Sequence, residues 1–576
     1  MALRTSSNFR AFRAAPPTVN APAVYASTAL RERLWNLLPI SASLFLVSFL
    51  FWGPYAAPQV LAVAIVGFFI YWLGRSYTVA VACFVGIARL RSWKRTNWVA
   101  KYCEWLPTHA DAPAWDWPRH MVIIPNYKEE ESGLARTLES LVRQPNSRQL
   151  VVVMAMEDRE PGNREKAARL VAQFRGNFGQ MFSTHHPAGL PAETPGKGSN
   201  EAWAAREAYE WLIERGGDDL ARYSITSCDA DAVFHERHFE ALNYLFLTAK
   251  NRYRTFWQPA IFNSNNIWDI PAPLRIMDGL SGVNRMSNLV LPGSVKFPTS
   301  CYSLSWQMLT EVDYWDEEVI PEDWHIFLKC CFTLGDEVHV EPLFLPLGND
   351  CVVTDSYRKT LKAHYLQSVR HAWGASDIPY AWRASMHKGS RLSLKRKLLL
   401  SATVTKVHSL WVAQWYIVTM GTHLPARMTD HLGANMPSWW LWNGVQLPGP
   451  SWHIDRMVSG DFGNALTGTL VLSITSTLVY FCIFPLFAMI AFEYKMRGPR
   501  PSYVSRWAAA AGFAVWPLMA VITFFWASLP AVHAQLKLAS GTALIYRVAE
   551  KGSRRRTPVA VSESASAEAY GAGGGS

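Results

Sequence analysis

Three apolar stretches decide the fold of this chain: HMVIIP (120–125), QLVVVMAM (149–156) and YSITSCDAD (223–231). Each has the length and the apolar, β-branched content of a buried strand. Patterns typical of helices accompany them at 134–143, 164–178 and 200–215. Because strands alternate with helices, the sequence predicts an α/β fold with a mostly parallel sheet that is covered on both faces.

A polar group of residues stands at the end of each predicted strand. The three groups are 126–129, 157–158 and 229–231. In sheets of this kind, ligands bind at the carboxyl ends of the strands. We therefore expect the functional site at this edge of the sheet.

Apolar segments flank this domain on both sides. Residues 34–52 are long enough to cross a membrane, and after a turn at Gly53-Pro54 a second span starts at 59–74 and extends through 77–88. The candidates toward the C-terminus are 398–420, 465–492 and 507–529.

Basic residues border the first hairpin on both sides and recur near the C-terminus, which predicts that all these ends are cytosolic. Three later spans would place the C-terminus on the side opposite to the first hairpin. Both can be cytosolic only if 507–541 forms a hairpin broken at Pro517 or Pro530, or if one candidate does not cross. We expect four to six crossings.

The composition excludes several classes of protein. The 576 residues carry a net charge of +11, but the basic clusters stand beside the apolar spans, so nucleic acid is not an expected partner. The eight Cys form no CxxC pair, so neither a zinc site nor a disulfide framework is predicted. With 50% hydrophobic and 18% charged residues, the chain is not of the disordered class.

The third predicted strand ends in Asp229-Ala230-Asp231. Two carboxylates at positions i and i+2 of a strand end can reach one cation, and Mg²⁺ or Mn²⁺ binds such oxygen ligands together with substrate phosphates. The metal would neutralise charge on a departing diphosphate. Taken alone, the same three residues also fit a solvated turn.

Two further motifs have residue types that suit group transfer. TPGKGSN (194–200) opens a helix, and its glycines and Lys197 can approach a phosphate, although an ordinary helix start has the same pattern. In Pro321-Glu322-Asp323, Asp323 would be a general base for an acceptor hydroxyl, and Glu322 would raise its pKa by like-charge repulsion. Paired carboxylates also cap helices.

QSVRHAW (367–373) places Gln367 and Arg370 on one helix face. Arginine can bind a pyrophosphate in a fork geometry, and a neighbouring aromatic ring offers a floor for the apolar face of a sugar. A basic helix on a membrane surface would show the same pattern.

Taken in order, PNYKEE, GKGSN, DAD, PED and QSVRHAW resemble the motifs of the membrane-integrated family 2 glycosyltransferases, the group of the cellulose, chitin and hyaluronan synthases. The resemblance covers residues 115–390 and the flanking spans. It implies a GT-A glycosyltransferase domain inserted between transmembrane α-helices. It also implies an inverting, metal-dependent hexosyl transfer from a nucleotide sugar, with a UDP-sugar expected, to a growing polysaccharide that is then translocated.

The resemblance further implies roles for individual residues. It places Tyr127, Glu129 and Glu157 at the nucleoside, and Lys197 and Asn200 near the donor. It places Asp229 and Asp231 at the metal, with Asp231 as direct ligand, and Glu322 and the base Asp323 at the acceptor. Gln367, Arg370 and Trp373 are placed at the diphosphate and the acceptor. YRVAEKG (546–552) is similar to the gating loop of cellulose synthases. The chain departs from the family pattern in AMEDRE (155–160), at His371 and at Ala549.

The predicted domains are a basic cytosolic tail (1–33), a transmembrane hairpin (34–90), a cytosolic catalytic domain with interfacial helices (91–390), a C-terminal transmembrane region (391–545) with a Trp-rich loop (422–462), and a cytosolic tail (546–576). The terminal AYGAGGGS is typical of a tag remnant. The expected location is the plasma or inner membrane, with the catalytic domain in the cytosol.

The expected partners are the nucleotide-sugar donor, a polysaccharide or lipid-linked acceptor and membrane lipids, and a homo-oligomer or an accessory subunit stays open. Three alternative functions also stay open: a non-processive transferase that modifies a membrane lipid, a transporter with a regulatory domain, and an inactive sugar-binding scaffold. The segments 465–490 and 507–529 contain no ionisable residue, which disfavours transport.

Overall fold

The computed structural model describes residues 29–191, 193–421 and 468–542. The domain predicted at 91–390 is described throughout, except at residue 192. Three features predicted from the sequence lie outside the described residues: most of the basic tail, the Trp-rich loop 422–462 and the gating-loop-like motif at 546–552.

One eight-stranded sheet forms the centre of the domain. Its strands are β1 (Arg119–Asn126), β2 (Leu150–Glu157), β3 (Gln180–His186), β4 (Tyr223–Ser227), β5 (Val233–Phe234), β6 (Thr255–Asn263), β7 (Tyr302–Ser305) and β8 (His339–Asn349). They lie in the order β3-β2-β1-β4-β7-β6-β8-β5. Only β7 and β5 run against their neighbours, so the sheet is mixed and six of its eight strands point the same way.

Helices surround the sheet and extend beyond it. They are α1 (Ala29–Ala56), α2 (Pro58–Arg95), α3 (Trp98–Trp105), α4 (Glu131–Val142), α5 (Asn163–Phe174), α6 (Lys197–Tyr209), α7 (His238–Thr248), α8 (Ala272–Val290), α9 (Trp306–Glu311), α10 (Glu322–Leu334), α11 (Tyr357–Ala372), α12 (Asp377–Met386), α13 (Leu394–Met420), α14 (Gly468–Phe481), α15 (Ile483–Met496), α16 (Arg506–Ala511), α17 (Met519–Thr523) and α18 (Leu529–Ala539).

The side chains of β1 supply apolar groups to both faces of the sheet. Met121 and Ile123 pack with residues of α6, α10 and α12. Val122 and Ile124 pack with residues of α4, α5 and α7. Because successive residues of a strand point to opposite faces, a strand of this composition has to be covered on both sides. The predicted covering is therefore observed, and the mixed sheet with helices on both faces fits a GT-A-like fold.

Four helices among the described residues have the length and the composition needed to cross a membrane: Leu30–Ala56, Val60–Arg95, Ile474–Met496 and Arg506–Ala539. The weaker candidate at 398–420 forms α13 but is not one of the four. The fourth helix, Arg506–Ala539, is a single helical stretch. Pro517 lies within a 3₁₀ turn of it, and Pro530 lies near the start of α18. The alternative of a hairpin broken at either proline does not form.

Two predicted boundaries move for local reasons. The strand predicted at 223–231 ends at Ser227, which is the last residue of β4 to pair with β7, so the two aspartates stand in a loop. The first two helices meet at Ala57 rather than at Gly53-Pro54. Pro58 disfavours a helical conformation for the residue before it, which places the break at Ala57.

Candidate active site

The candidate site lies at the edge of the sheet where the carboxyl ends of six strands meet. Within the described residues, the non-glycine residues with positive φ are Lys128, Ser300, Asp313 and Tyr314. All four stand in loops at this edge or in the loop that supports it. Such conformations concentrate at functional sites because the surrounding structure must hold them in place.

Lys197 is the centre of a cluster of partly buried and buried charges. Its ammonium lies 3.0 Å from a carboxylate oxygen of Asp229 and 3.1 Å from one of Glu322, and it donates a 2.6 Å hydrogen bond to the carbonyl of Ser300. Glu201, one turn along α6, lies 4.0 Å away and is fully buried. Burial lowers the pKa of Lys197, but the three carboxylates outweigh burial and raise this pKa well above its usual value. Lys197 therefore stays cationic and connects the end of β4 with the start of α10.

Ser300 connects the predicted metal motif with the predicted base. Its hydroxyl donates a hydrogen bond to the carboxylate of Asp229, and its amide donates one of 3.2 Å to the carboxylate of Asp323. Asn349, at the end of β8, donates to the same Asp229 carboxylate at 3.1 Å and to the Ser300 hydroxyl at 2.8 Å. Asp229 and Asp323 therefore share one hydrogen-bonding partner and converge on one place.

The second glycine of TPGKGSN allows two helices to approach each other. A Cβ atom on Gly198 would lie 3.0 Å from the Cβ of Glu322. Any side chain at this position would push α10 away from α6. The group that approaches Gly198 is α10, and the predicted approach of this glycine to a phosphate stays a prediction.

Asp323 stands in the first turn of α10, partly exposed at the sheet edge. Burial and the negative charge of Glu322 raise the pKa of Asp323 to about 7, while the charge of Lys197 opposes this. The amides of Ser300 and Trp324 donate hydrogen bonds of 3.2 Å and 2.9 Å to its carboxylate. A carboxyl group that titrates near neutral pH is suited to accepting a proton.

Asp231 points toward the end of β8. Its carboxylate accepts a 2.7 Å hydrogen bond from the amide of Asp350, and the carboxylate of Asp350 pairs with Arg136 at 2.5 Å. In the part of the chain that the structure describes, no three His, Cys, Asp or Glu side chains form a metal cluster. Two carboxylates are the oxygen donors that Mg²⁺ or Mn²⁺ takes together with substrate phosphates. The residue types at 229 and 231 therefore suit such an ion, and their binding of it stays a prediction.

A second group of predicted residues surrounds Arg159 at the ends of β1 and β2. The Arg159 guanidinium lies 4.3 Å from the centre of the Tyr127 ring and pairs with the buried carboxylate of Glu157. Glu129 accepts a 2.6 Å hydrogen bond from the Tyr127 amide. Burial raises the pKa of Glu157, and Arg159 opposes that rise. The structure thus brings Tyr127, Glu129 and Glu157 together around a cation that the sequence did not single out.

Asn200 is buried beneath this edge, with 1% of its surface exposed. Its amide donates a 2.8 Å hydrogen bond to the carbonyl of Ala155 in β2. Asn200 therefore fixes the start of α6 on the sheet, and its contact with a donor stays a prediction.

Gln367 and Arg370 lie on α11, and Trp373 follows directly after it. Trp373 packs against an apolar cluster to which α11, α13 and α18 contribute. A Cβ on the next residue, Gly374, would lie 3.1 Å from the His408 ring of α13. The roles of Gln367, Arg370 and Trp373 toward donor and acceptor stay predictions.

A run of aromatic rings connects the base motif with α13. Trp324, next to Asp323, stacks on Phe297 with ring centres 4.1 Å apart. Trp324 also meets His408, with ring centres 5.5 Å apart, and His408 stacks on Trp411 at 6.1 Å. This aromatic run (Phe297, Trp324, His408 and Trp411) leads from the sheet edge to α13, which packs beside α1.

Sequence reasoning missed five residues of this site: Arg159, Ser300, Asn349, Asp350 and Glu201. Asn349 and Asp350 stand at the end of β8, so the rule that found Asp229 and Asp231 would have found them only if that strand had been predicted. Ser300 and Glu201 give no local signal, because their importance depends on neighbours from distant parts of the chain.

Comparison with known proteins adds one family assignment. The family model described as "Glycosyl transferase family group 2" matches residues 224–545, more than half of the chain. No curated protein matches. One similar solved structure is that of the mannosyltransferase PcManGT from Pyrobaculum calidifontis in complex with GDP-Man and Mn²⁺. The two sequences are 13% identical, the match covers 75% of this chain and 99% of that chain, and the TM-score is 0.35. A score at this level supports no conclusion about this chain.

Proposed function

The chain belongs to glycosyl transferase family group 2 and is a glycosyltransferase that uses a nucleotide-sugar donor; from this premise we propose that it is an inverting membrane enzyme that transfers a hexose from a UDP-sugar to a growing polysaccharide and translocates the product. Asp323 is the proposed base. Asp229 and Asp231 are the proposed metal ligands. Tyr127, Glu129 and Glu157 are the proposed nucleoside contacts.

One observation carries the proposal. Ser300 donates hydrogen bonds to both Asp229 and Asp323, and Lys197 pairs with both Asp229 and Glu322. The group expected beside the donor diphosphate and the group expected beside the acceptor hydroxyl are therefore held in one cluster. A transfer site requires this closeness, because the attacking oxygen and the leaving group act on the same carbon.

The proposed step is a single displacement. Asp323 accepts the proton of the acceptor hydroxyl, whose oxygen forms a bond to the anomeric carbon as the bond from that carbon to the nucleotide oxygen breaks. Attack from the side opposite the leaving group inverts the configuration. Deprotonation of the hydroxyl during attack lowers the barrier, because a neutral hydroxyl is a weak nucleophile.

Asp231 and Asp229 would hold Mg²⁺ or Mn²⁺ beside the diphosphate. When bound, such an ion neutralises charge that develops on the leaving nucleotide. The Lys197 ammonium contributes positive charge at the same cluster through its pair with Asp229. The Ser300 hydroxyl and the Asn349 amide orient the Asp229 carboxylate toward the cluster.

The acceptor is proposed to lie along the aromatic run. Trp324 adjoins the base, and His408 and Trp411 continue the run along α13. Aromatic faces bind the apolar faces of sugars. The candidate spans pack directly on the catalytic domain, since residues of α2, α8 and α15 share one apolar cluster. These contacts support an acceptor held between the cytosolic domain and the plasma or inner membrane.

The test uses the purified full chain with a panel of UDP- and GDP-sugars, with Mg²⁺, with Mn²⁺ or with a chelator. We expect nucleotide release with one UDP-sugar, loss of release with the chelator, and products whose length increases with time. A lipid product of fixed length would replace the polymerase proposal with single-sugar transfer. Absence of nucleotide release with every donor would contradict the proposed function.

A further inference from the structure

A buried network of ions lies behind the base motif, on the inner side of α10. The two ring nitrogens of His325 lie 2.7 Å from a carboxylate oxygen of Asp377 and 2.9 Å from one of Asp316. Lys329, one turn further along α10, lies 2.5 Å from the other Asp316 oxygen. His325, Lys329 and Asp377 are almost fully buried. Two cations thus balance two anions.

The hydrogen-bonding pattern fixes the charge of His325. Neutral imidazole carries one N–H, so a ring with both nitrogens against carboxylates is an imidazolium that donates from each. Burial lowers the pKa of His325, but the hydrogen bonds to Asp316 and Asp377 outweigh burial and raise this pKa to about 9.

The network also holds a strained loop. Asp313 and Tyr314 have φ angles of 56° and 57°, in the left-handed region that disfavours residues with a side chain. Lys329 donates hydrogen bonds of 3.3 Å and 2.9 Å to the carbonyls of these two residues. Strain of this kind persists only where the surroundings enforce it. Lys329 provides that restraint.

The same loop is tied to α6. The carbonyl of Glu317 accepts a 2.9 Å hydrogen bond from the Thr194 amide, and the carbonyl of Glu318 accepts one of 3.0 Å from the Thr194 hydroxyl. Arg206 of α6 pairs with the carboxylate of Glu317. The loop 313–318 therefore connects the helix that begins with Lys197 to the helix that begins with the base motif.

We propose that His325 is a positioning residue, clamped between Asp316 and Asp377 so that it fixes the first turn of α10 and the place of Asp323 relative to Lys197. Asp323 and His325 are two residues apart, about 200° around the helix. Asp323 therefore faces the sheet edge while His325 faces the interior. His325 is buried away from the sheet edge, and the inference rests on the proposed function.

The first test replaces His325 by glutamine. His325→Gln removes the positive charge, keeps one amide donor and leaves an excess negative charge in the network. We expect kcat to fall by about tenfold or more, a loss typical of a misplaced catalytic group. The dissociation constant of UDP should change by less than about twofold, because the residues around Arg159 at the ends of β1 and β2 are untouched.

A matched control uses His120. This histidine is also buried, and both its ring nitrogens are hydrogen-bonded, at 2.7 Å to Ser224 and 3.0 Å to Asn243, but it lies at the opposite end of β1 from the site. We expect His120→Gln to lower Tm and to leave kcat unchanged. His325→Gln combined with Asp377→Asn removes one cation and one anion, so we expect it to regain part of the lost kcat.

Hydrogen–deuterium exchange gives a readout without catalysis. The amides of Ser300 and Trp324 donate to Asp323, so peptides spanning 296–304 and 320–327 should exchange faster in His325→Gln and not in His120→Gln. If His325→Gln does not fold, Asp377→Asn is measured in the same way.

Unchanged exchange together with unchanged kcat in a folded His325 variant would overturn the inference. Equal losses of kcat and UDP affinity would also overturn it, because they indicate a general defect rather than a misplaced base. If the unsubstituted protein transfers no sugar, the proposed function fails, and the exchange experiment still decides whether His325 positions Asp323.

Discussion

The site has two regions that are built differently. In the first, contacts join the ends of the neighbouring strands β1 and β2 and the loops that follow them, such as Arg159 with Glu157 and with the Tyr127 ring. In the second, around β4, β7 and α10, contacts join distant segments, such as Lys197 with Glu322 and Ser300 with Asp229. The first holds the proposed nucleoside contacts, and the second is the proposed reaction centre.

The two regions also differ in their match to the family model, which begins at residue 224 and so includes β4 to β8 but not β1 to β3. In the reaction centre, each charge is held by partners from other elements, so a change at one residue affects several others.

The largest expected effect tests the reaction centre. Asp323→Asn keeps the shape of the side chain and removes the ability to accept a proton. We expect kcat to fall by about 10²–10⁴-fold with a small change in the donor KM, as for loss of a general base. The matched control is Asp355→Asn on an exposed aspartate that pairs only with nearby Lys359 among the contacts observed. Unaltered sugar transfer by Asp323→Asn would remove Asp323 as the base.

A smaller effect tests the recognition region. Tyr127→Ala removes the ring on which Arg159 stacks and on which a base would stack. Loss of one aromatic–base stack costs about 1–3 kcal/mol, so we expect donor KM to rise by about tenfold. Turnover at saturating donor should stay unchanged. Tyr357→Ala, on an exposed tyrosine of α11, is the control. A fall in kcat instead of a rise in KM would show that the two regions are not separate in function.

The smallest effect is a shift in a pH profile. In the unsubstituted protein, a base with a pKa of about 7 makes kcat/KM fall as the pH drops through neutrality, because the protonated carboxyl cannot accept a proton. Glu322→Gln removes a neighbouring negative charge that contributes to the raised pKa. The acid limb should therefore move to lower pH.

Glu318→Gln in the exposed acidic loop provides the comparison for this shift. An acid limb that keeps its position in Glu322→Gln would exclude Glu322 as a source of the raised pKa of Asp323, whatever happens to the maximal rate.

Much of the framework was predictable from local patterns. The strands at 120–125 and 149–156 form β1 and β2, whose bounds differ from the prediction by one residue at each end. The apolar segments supply the four helices that have the composition of membrane spans. The prediction that Glu322 raises the pKa of Asp323 follows from adjacency alone, and the structure agrees in direction.

Other features required the tertiary structure. The contacts of Ser300 with Asp229 and Asp323, and that of His325 with Asp377, join residues separated by 23 to 71 positions along the chain. No periodicity or motif encodes such pairs, because hydrogen bonds depend on where the ends of separate strands and helices meet.

The sequence by itself thus determined three of the eight strands, the apolar spans and the acidic residues after strand ends, since these follow from side-chain periodicity and residue type. Only the tertiary structure decided that Lys197 neutralises Asp229 and Glu322, and that Gly198 lets α10 approach α6. The physical reason is that a charge inside a protein is stabilised by partners within a few ångströms, and distance in space is fixed by packing rather than by position in the chain.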